Sequence, residues 1–188
     1  MRVRSTALAV CLLYAAASHA QSEEARTLEI EGGARIAYTL QTYPAGAHLV
    51  RPSGDLAPNS ALNAAKLLNL HLSAGDIEEA ALLSNAPRRR FEVLQEYRAA
   101  IGEDEFKRVF TQYFYPENRL IAEIAIDNHR LLLWELKTPA KTGPASSMVA
   151  GQYFVQIDGR YLVDDVPNDV RTRLRWVLEA YRSGKLPL

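Results

Sequence analysis

The chain has 188 residues, 48% of them apolar and 23% charged, with 22 Lys and Arg against 22 Asp and Glu. That composition excludes a disordered, collagen-like or disulfide-rich chain. The neutral balance gives no electrostatic basis for a dedicated nucleic-acid binder.

Residues 1–20 combine Arg2 and Arg4, an apolar run from Ala7 to Ala17, and small residues at Ser18 and Ala20. This pattern reads as a secretory signal peptide, and otherwise as a buried N-terminal helix; it is too short to span a bilayer stably. Cys11 as a lipid attachment point is opposed by the bulky Val10 before it. The expected location is periplasmic or secreted. Removing residues 1–20 leaves 20 basic against 22 acidic side chains, a net charge of −2, and no cysteine. Such a mature chain has no disulfide, thiol nucleophile, iron–sulfur cluster or Cys-based zinc site, and rests on its core alone.

Leu28–Glu31 and Arg35–Thr42 alternate around Gly32-Gly33, the pattern of a β-hairpin. Tyr43–Asn59 holds three prolines and two glycines and reads as a loop that could contact a partner. Helical spacing starts at Ser60, with Leu62, Ala65, Leu68 and Leu72, and stops at Gly75. Asp76 and Glu79 have the spacing of a capping box for a second helix. A third helix lies between Pro87 and Gly102, and an aromatic stripe of Phe106, Phe110, Tyr113 and Phe114 follows, ending at Pro116.

Beyond Pro116 the period changes to two. Arg119–Asp127 and Arg130–Thr138 alternate around Asn128-His129, pairing Ile126 with Leu131 and Ile124 with Leu133. The opposite face carries Ile121, Leu132, Trp134 and Leu136. Lys137–Met148 reads as a loop. Val149–Ile157 and Arg160–Val166 flank Asp158-Gly159, which pairs Ile157 with Arg160, Val155 with Leu162 and Tyr153 with Asp164. A last helix runs from Asn168 to Ser183 with Val170, Leu174, Val177, Leu178 and Tyr181 on one face. Both faces of the sheet are apolar, so the outer one needs a cover, either the last helix or a second copy in a dimer.

The segment Leu72-Ser73-Ala74-Gly75-Asp76-Ile77-Glu78-Glu79-Ala80 and the closing hairpin from Phe154 to Asp165 resemble the nuclear transport factor 2-like superfamily. That cone-shaped α+β fold is shared with ketosteroid isomerases and polyketide cyclases. The resemblance covers residues 60 to 166. It implies N-terminal helices packed into a curved antiparallel sheet, with an added N-terminal hairpin and a C-terminal helix. The expected division is residues 1–20 as signal peptide, 21–59 as hairpin and loop, and 60–188 as one cone-like domain. Membership of this family does not establish catalysis, since it has many silent members.

His48, His71 and His129 have no metal-ligand spacing, so no metal site is expected. No nucleophile elbow, P-loop or dinucleotide fingerprint occurs, and no cofactor is expected. Acid–base chemistry is the catalytic option left. Tyr153 opposite Asp164 supplies a donor and a carboxylate of the types that ketosteroid-isomerase-like enzymes use. The plainer reading is a hydrogen bond at a strand end. Arg88, Arg89 and Arg90, with Glu92, Glu96 and Glu103 on nearby turns, read first as a solvated helix start, but cations are unfavourable there, which hints at binding. The last helix carries Arg171, Arg173, Arg175, Arg182 and Lys185 against Asp169 and Glu179, a basic face for an acidic partner or anionic lipid, or simply a cover for the sheet.

The expected function is an exported, non-catalytic binding protein for a protein partner or a small apolar ligand, with Tyr113, Trp134 and Arg88–Arg90 as its contact residues. The alternatives are a cofactor-free acid–base isomerase or hydrolase working in the cone, and an envelope accessory protein recruited through the basic helix.

Overall fold

A computed structural model describes residues 23–138 and 146–187. The signal-peptide segment, Cys11 and most of the expected 137–148 loop lie outside the described residues. The class is α+β: an antiparallel, curved six-stranded sheet and five helices. Two strands come first, β1 (Glu23–Glu29) and β2 (Arg35–Thr42). Four helices follow: α1 (Ala61–Ala74), α2 (Ile77–Leu82), α3 (Pro87–Ile101) and α4 (Glu103–Thr111). Then come β3 (Arg119–Ile126), β4 (His129–Thr138), β5 (Ser146–Ile157), β6 (Arg160–Val163) and finally α5 (Asp169–Arg182). The sheet keeps chain order from β1 to β6. β2 pairs with β3, Leu40 opposite Ile124, so the first hairpin belongs to the same sheet and the helices are inserted within it.

Local chemistry explains the helix ends. The Ser60 hydroxyl accepts the Asn63 N–H at 3.1 Å and starts α1. Gly75 ends it in the left-handed region, with φ 91°. Its N–H goes to the Leu72 carbonyl at 3.2 Å and the Asp76 N–H to the His71 carbonyl at 2.9 Å. That is the Schellman pair, so Asp76 closes α1. Its side chain makes no cap hydrogen bond, and the expected capping box for α2 does not form.

Three further sequence readings are corrected. β1 begins at Glu23, five residues early, because this edge strand is mostly exposed and charged and carries little apolar alternation. The β3–β4 turn is Asp127-Asn128, with Asp127 at φ 51°. Ile126 therefore faces His129 and Ile124 faces Leu131, a shift of two residues that preserves which face each side chain takes. A bulge between Leu120 and Ala122 puts Leu120, not Ile121, among Leu132, Trp134 and Leu136.

The sheet is covered on both sides. On one face α1–α4 pack Leu68, Leu72, Ile77 and Phe106 against Leu132, Trp134 and Phe154. On the other, α5 lays Leu174, Val177, Leu178 and Tyr181 over Ile124, Leu131, Leu133 and Tyr38. Each fully buried aliphatic side chain of this kind contributes about 1.5–3 kcal/mol, so α5 is an integral layer. Gly151 leaves room for its seating, since a Cβ there would meet Leu131 Cδ1 at 2.8 Å and Leu178 Cδ2 at 2.9 Å. Among the described residues no helix is long and apolar enough to cross a membrane.

Candidate functional site

Of the residues expected to contact a ligand, Trp134 is core, while Tyr113 is largely buried but lines a cavity along β5. Trp134 is fully buried and its ring meets Tyr113 edge-on at 5.2 Å. Burial pushes the Tyr113 hydroxyl up to about 12, so it stays protonated. Period-two alternation placed Trp134 on the helix-covered face but could not show how tightly the aromatic stripe fills that face. Phe106 sits wholly inside, 4.9 Å from the half-buried Phe110. The exposed tryptophan is Trp176 on α5, at 46%.

Tyr153 and Asp164 do come opposite each other, joined by the Asp164 N–H to the Tyr153 carbonyl at 3.0 Å. Their side chains do not form an acid–base pair. The buried Asp164 carboxylate accepts from Asn85 Nδ2 at 3.0 Å and from Asn168 Nδ2 at 3.1 and 3.2 Å, with His129 Nε2 3.6 Å away. Tyr153 instead lies under the Arg171 guanidinium, 5.5 Å from ring centroid to Cζ. Burial raises its pKa above the ordinary tyrosine value, against the opposing pull of Arg182, Arg175 and Arg171. It is a protonated donor at neutral pH and not a base.

The Asp164 contacts belong to a stitch between two helix starts. Asn85 N–H donates to the Val163 carbonyl at 3.0 Å, and Asn85 Oδ1 accepts the Asp165 N–H at 2.8 Å. Ser84 Oγ donates to Asp165 Oδ2 at 2.7 Å and accepts the Ala86 N–H at 2.9 Å, just ahead of α3. Asn168 Oδ1 accepts the Arg171 N–H at 2.7 Å and caps α5. These short polar side chains tie together the segments ahead of α3 and α5, so that Arg89 and Arg171 line the same depression.

The consequence is a basic cleft. Of the three consecutive arginines, Arg88 pairs on the surface with Glu92 and Arg90 with the half-buried Asp165. On α5, Arg173 pairs with Asp127 and Asp169, and Arg182 with Glu179. Among the described residues no carboxylate pairs with Arg89, Arg171 or Arg175. These three line one depression of about 240 Å³ together with Pro167, Asn168 and Thr172, and no acidic group. It adjoins a second of about 270 Å³ that shares Arg89 and Arg171. Next to that is a third, of about 320 Å³, which reaches along β5 to Gly151. Two buried atoms on this last cavity, Arg90 Nε and Gln152 Oε1, have no hydrogen-bond partner among the described residues. The cation-at-helix-start signal that singled out Arg88–Arg90 applies equally to Arg171; its conjunction with Arg89 and Arg175 was not readable from either segment alone.

A larger depression of about 600 Å³ beside β1 mixes Glu29, Glu31 and Glu179 with Lys185 and Trp176, with no convergence of one charge. Among the described residues no group of three His, Cys, Asp or Glu side chains could hold a metal ion. No protein-family model, curated protein or solved structure matches the chain.

Proposed function

We propose that the chain is an exported, non-catalytic binding protein of the nuclear transport factor 2-like type, acting through a protein partner held at the arginine cleft. The observation that carries this reading is the charge arrangement of the cleft: Arg89, Arg171 and Arg175 converge on one open depression with no carboxylate among them. Arginine is the side chain best suited to recognising carboxylates in pairs, and Arg89 and Arg171 stand in the first turns of their helices, where an incoming anion is favoured. The placement of Tyr153 under Arg171, not paired with Asp164, supports binding at this surface over acid–base catalysis. So does the use of Asp164 as an acceptor for two asparagines. The arginine lining of the two smaller depressions disfavours a small apolar ligand there. Recruitment by lipid is disfavoured by the pairing of Arg173 and Arg182 within the fold.

The test is site-specific photocrosslinking in cells producing the full chain, with the photoreactive residue at position 175. A control carries it at position 35, exposed on β2 near the opposite edge of the sheet from β6. A discrete protein adduct from 175 and none from 35 is expected. No adduct from 175, or the same adducts from both positions, refutes binding through the cleft.

A further inference from the structure

We infer that the cleft takes a partner segment in extended form, alternating apolar and acidic residues, which adds as a strand to the open edge of β5. This rests on the binding reading above and names the partner's chemistry.

The first observation is the edge itself. β5 runs from Ser146 to Ile157, but β6 pairs only with Phe154–Ile157. Along a strand, alternate residues turn their backbone groups to the same side. The Tyr153 carbonyl meets the Asp164 N–H on the β6 side, so Gly151 and Val149 point that way too. The Val149 carbonyl confirms it, since it accepts from Arg182 Nε at 2.9 Å. Between these two anchored positions the Gly151 N–H and C=O face the cavity of about 320 Å³, and no strand of the described residues lies there. An unpaired strand edge is a ready template for an incoming strand.

The second observation is what flanks that edge. On the side of α1 and α4 the cavity meets Leu68, Phe110 and Tyr113; on the side of α5 it meets Tyr153 and Arg171. An added strand alternates its side chains between those two flanks. One set therefore meets apolar rings and the other meets guanidiniums, with Arg175 and Arg89 continuing the basic side. Asp164 and Asp165, also on the cavity, are bound by Asn85, Asn168, Ser84 and Arg90, so the basic positions that favour an acid are Arg171, Arg175 and Arg89. Backbone pairing at Gly151 supplies the register, and the arginines select acidic residues at every second position.

The experiment is fluorescence anisotropy at low salt with a labelled synthetic pentapeptide alternating valine and glutamate, added to the full chain. Binding is expected. It should fall by about tenfold or more in Arg171→Glu. The same loss is expected in the exposed Arg175→Glu variant, which keeps the test usable should Arg171→Glu fail to fold. Replacing glutamate by lysine in the peptide should abolish binding, and methylating the peptide's central backbone nitrogen should weaken it about tenfold. Equal binding of the methylated peptide overturns the added strand. Displacement of the peptide by millimolar inorganic phosphate overturns peptide recognition in favour of a small-anion site. If no pentapeptide binds while the position-175 adduct persists, the acidic-strand inference fails and the binding reading stands.

Discussion

Asn85→Ala is the change that most directly examines how the cleft is held. This one side chain donates to the buried Asp164 carboxylate and accepts from the Asp165 and Val166 N–H groups, at 2.8 and 3.3 Å. Removing it deletes one hydrogen bond to a charged, buried acceptor, worth roughly 1.5–3 kcal/mol. The two freed backbone N–H groups lie in a linker that water reaches in part, and add about 1 kcal/mol at most. The expected destabilisation is therefore about 2–4 kcal/mol. With an m value of roughly 2 kcal/mol per molar urea for a domain of this size, the unfolding midpoint falls by about 1–2 M at unchanged m. Asn168→Ala removes the other two donations to Asp164 and the α5 cap, and should cost about 2–5 kcal/mol. Because both variants act on one carboxylate, their effects should not add, and the double variant measures the coupling. A midpoint shift equivalent to less than about 0.5 kcal/mol for Asn85→Ala would refute the claim that this stitch sets the two helix starts.

Trp134→Ala should cost about 3–5 kcal/mol in urea unfolding as a fully buried aromatic truncation, with Phe106→Ala similar and Phe110→Ala smaller; equal costs for Phe106 and Phe110 would contradict their assigned burial. Gly151→Ala forces Leu131 and Leu178 apart, and a thermal melt should show a loss of about 1–3 kcal/mol; an unchanged melting temperature means that α5 yields at no cost. Burial depresses the pKa of His129 below its ordinary value, although Asp164 and Asp127 pull it upward. The folded state thus holds this histidine neutral, its stabilising effect is complete above the unfolded value of about 6.5, and it is lost as pH falls through the folded pKa. The wild type should lose stability over that acid window and His129→Gln should lose less; identical pH profiles from parallel urea titrations would contradict this account.

Much of the fold was legible because its elements carry their own punctuation. Ser60, Gly75, Pro87, Gly102 and Asp158-Gly159 stand where helices and a hairpin begin or end, and the apolar face of α5 follows a 3.6-residue period. The double-sided apolar pattern of β3–β6 required a cover, and α5 provides it. What escaped the sequence has specific causes. β1 is an edge strand with little to bury, so it lacks a period. The bulge at Leu120–Ala122 breaks the parity from which a face is read. Trp134 and Trp176 are both aromatic positions in amphipathic segments, and only the fill of the helix-covered face decides that the first is core and the second is exposed.

The cleft escaped for a different reason. Its arginines come from two segments about eighty residues apart, and what joins them is small: Ser84 and Asn85 on one side, Asp164, Asp165 and Asn168 on the other. In a sequence such residues read as turn formers, because their side chains imitate local backbone hydrogen bonds. Here they bond across the chain. Each helix start taken alone shows only a mild electrostatic fault, cations where the dipole prefers anions. A single fault of this kind is readily absorbed by solvent or by a neighbour, as Arg88 does with Glu92. Placed on one depression, Arg89, Arg171 and Arg175 also repel one another. The same polar stitch that creates this repulsion holds Asp164 and Asp165 below it, engaged and unable to offset it fully. On the proposed reading, a negative group from a partner offsets this repulsion at the cleft.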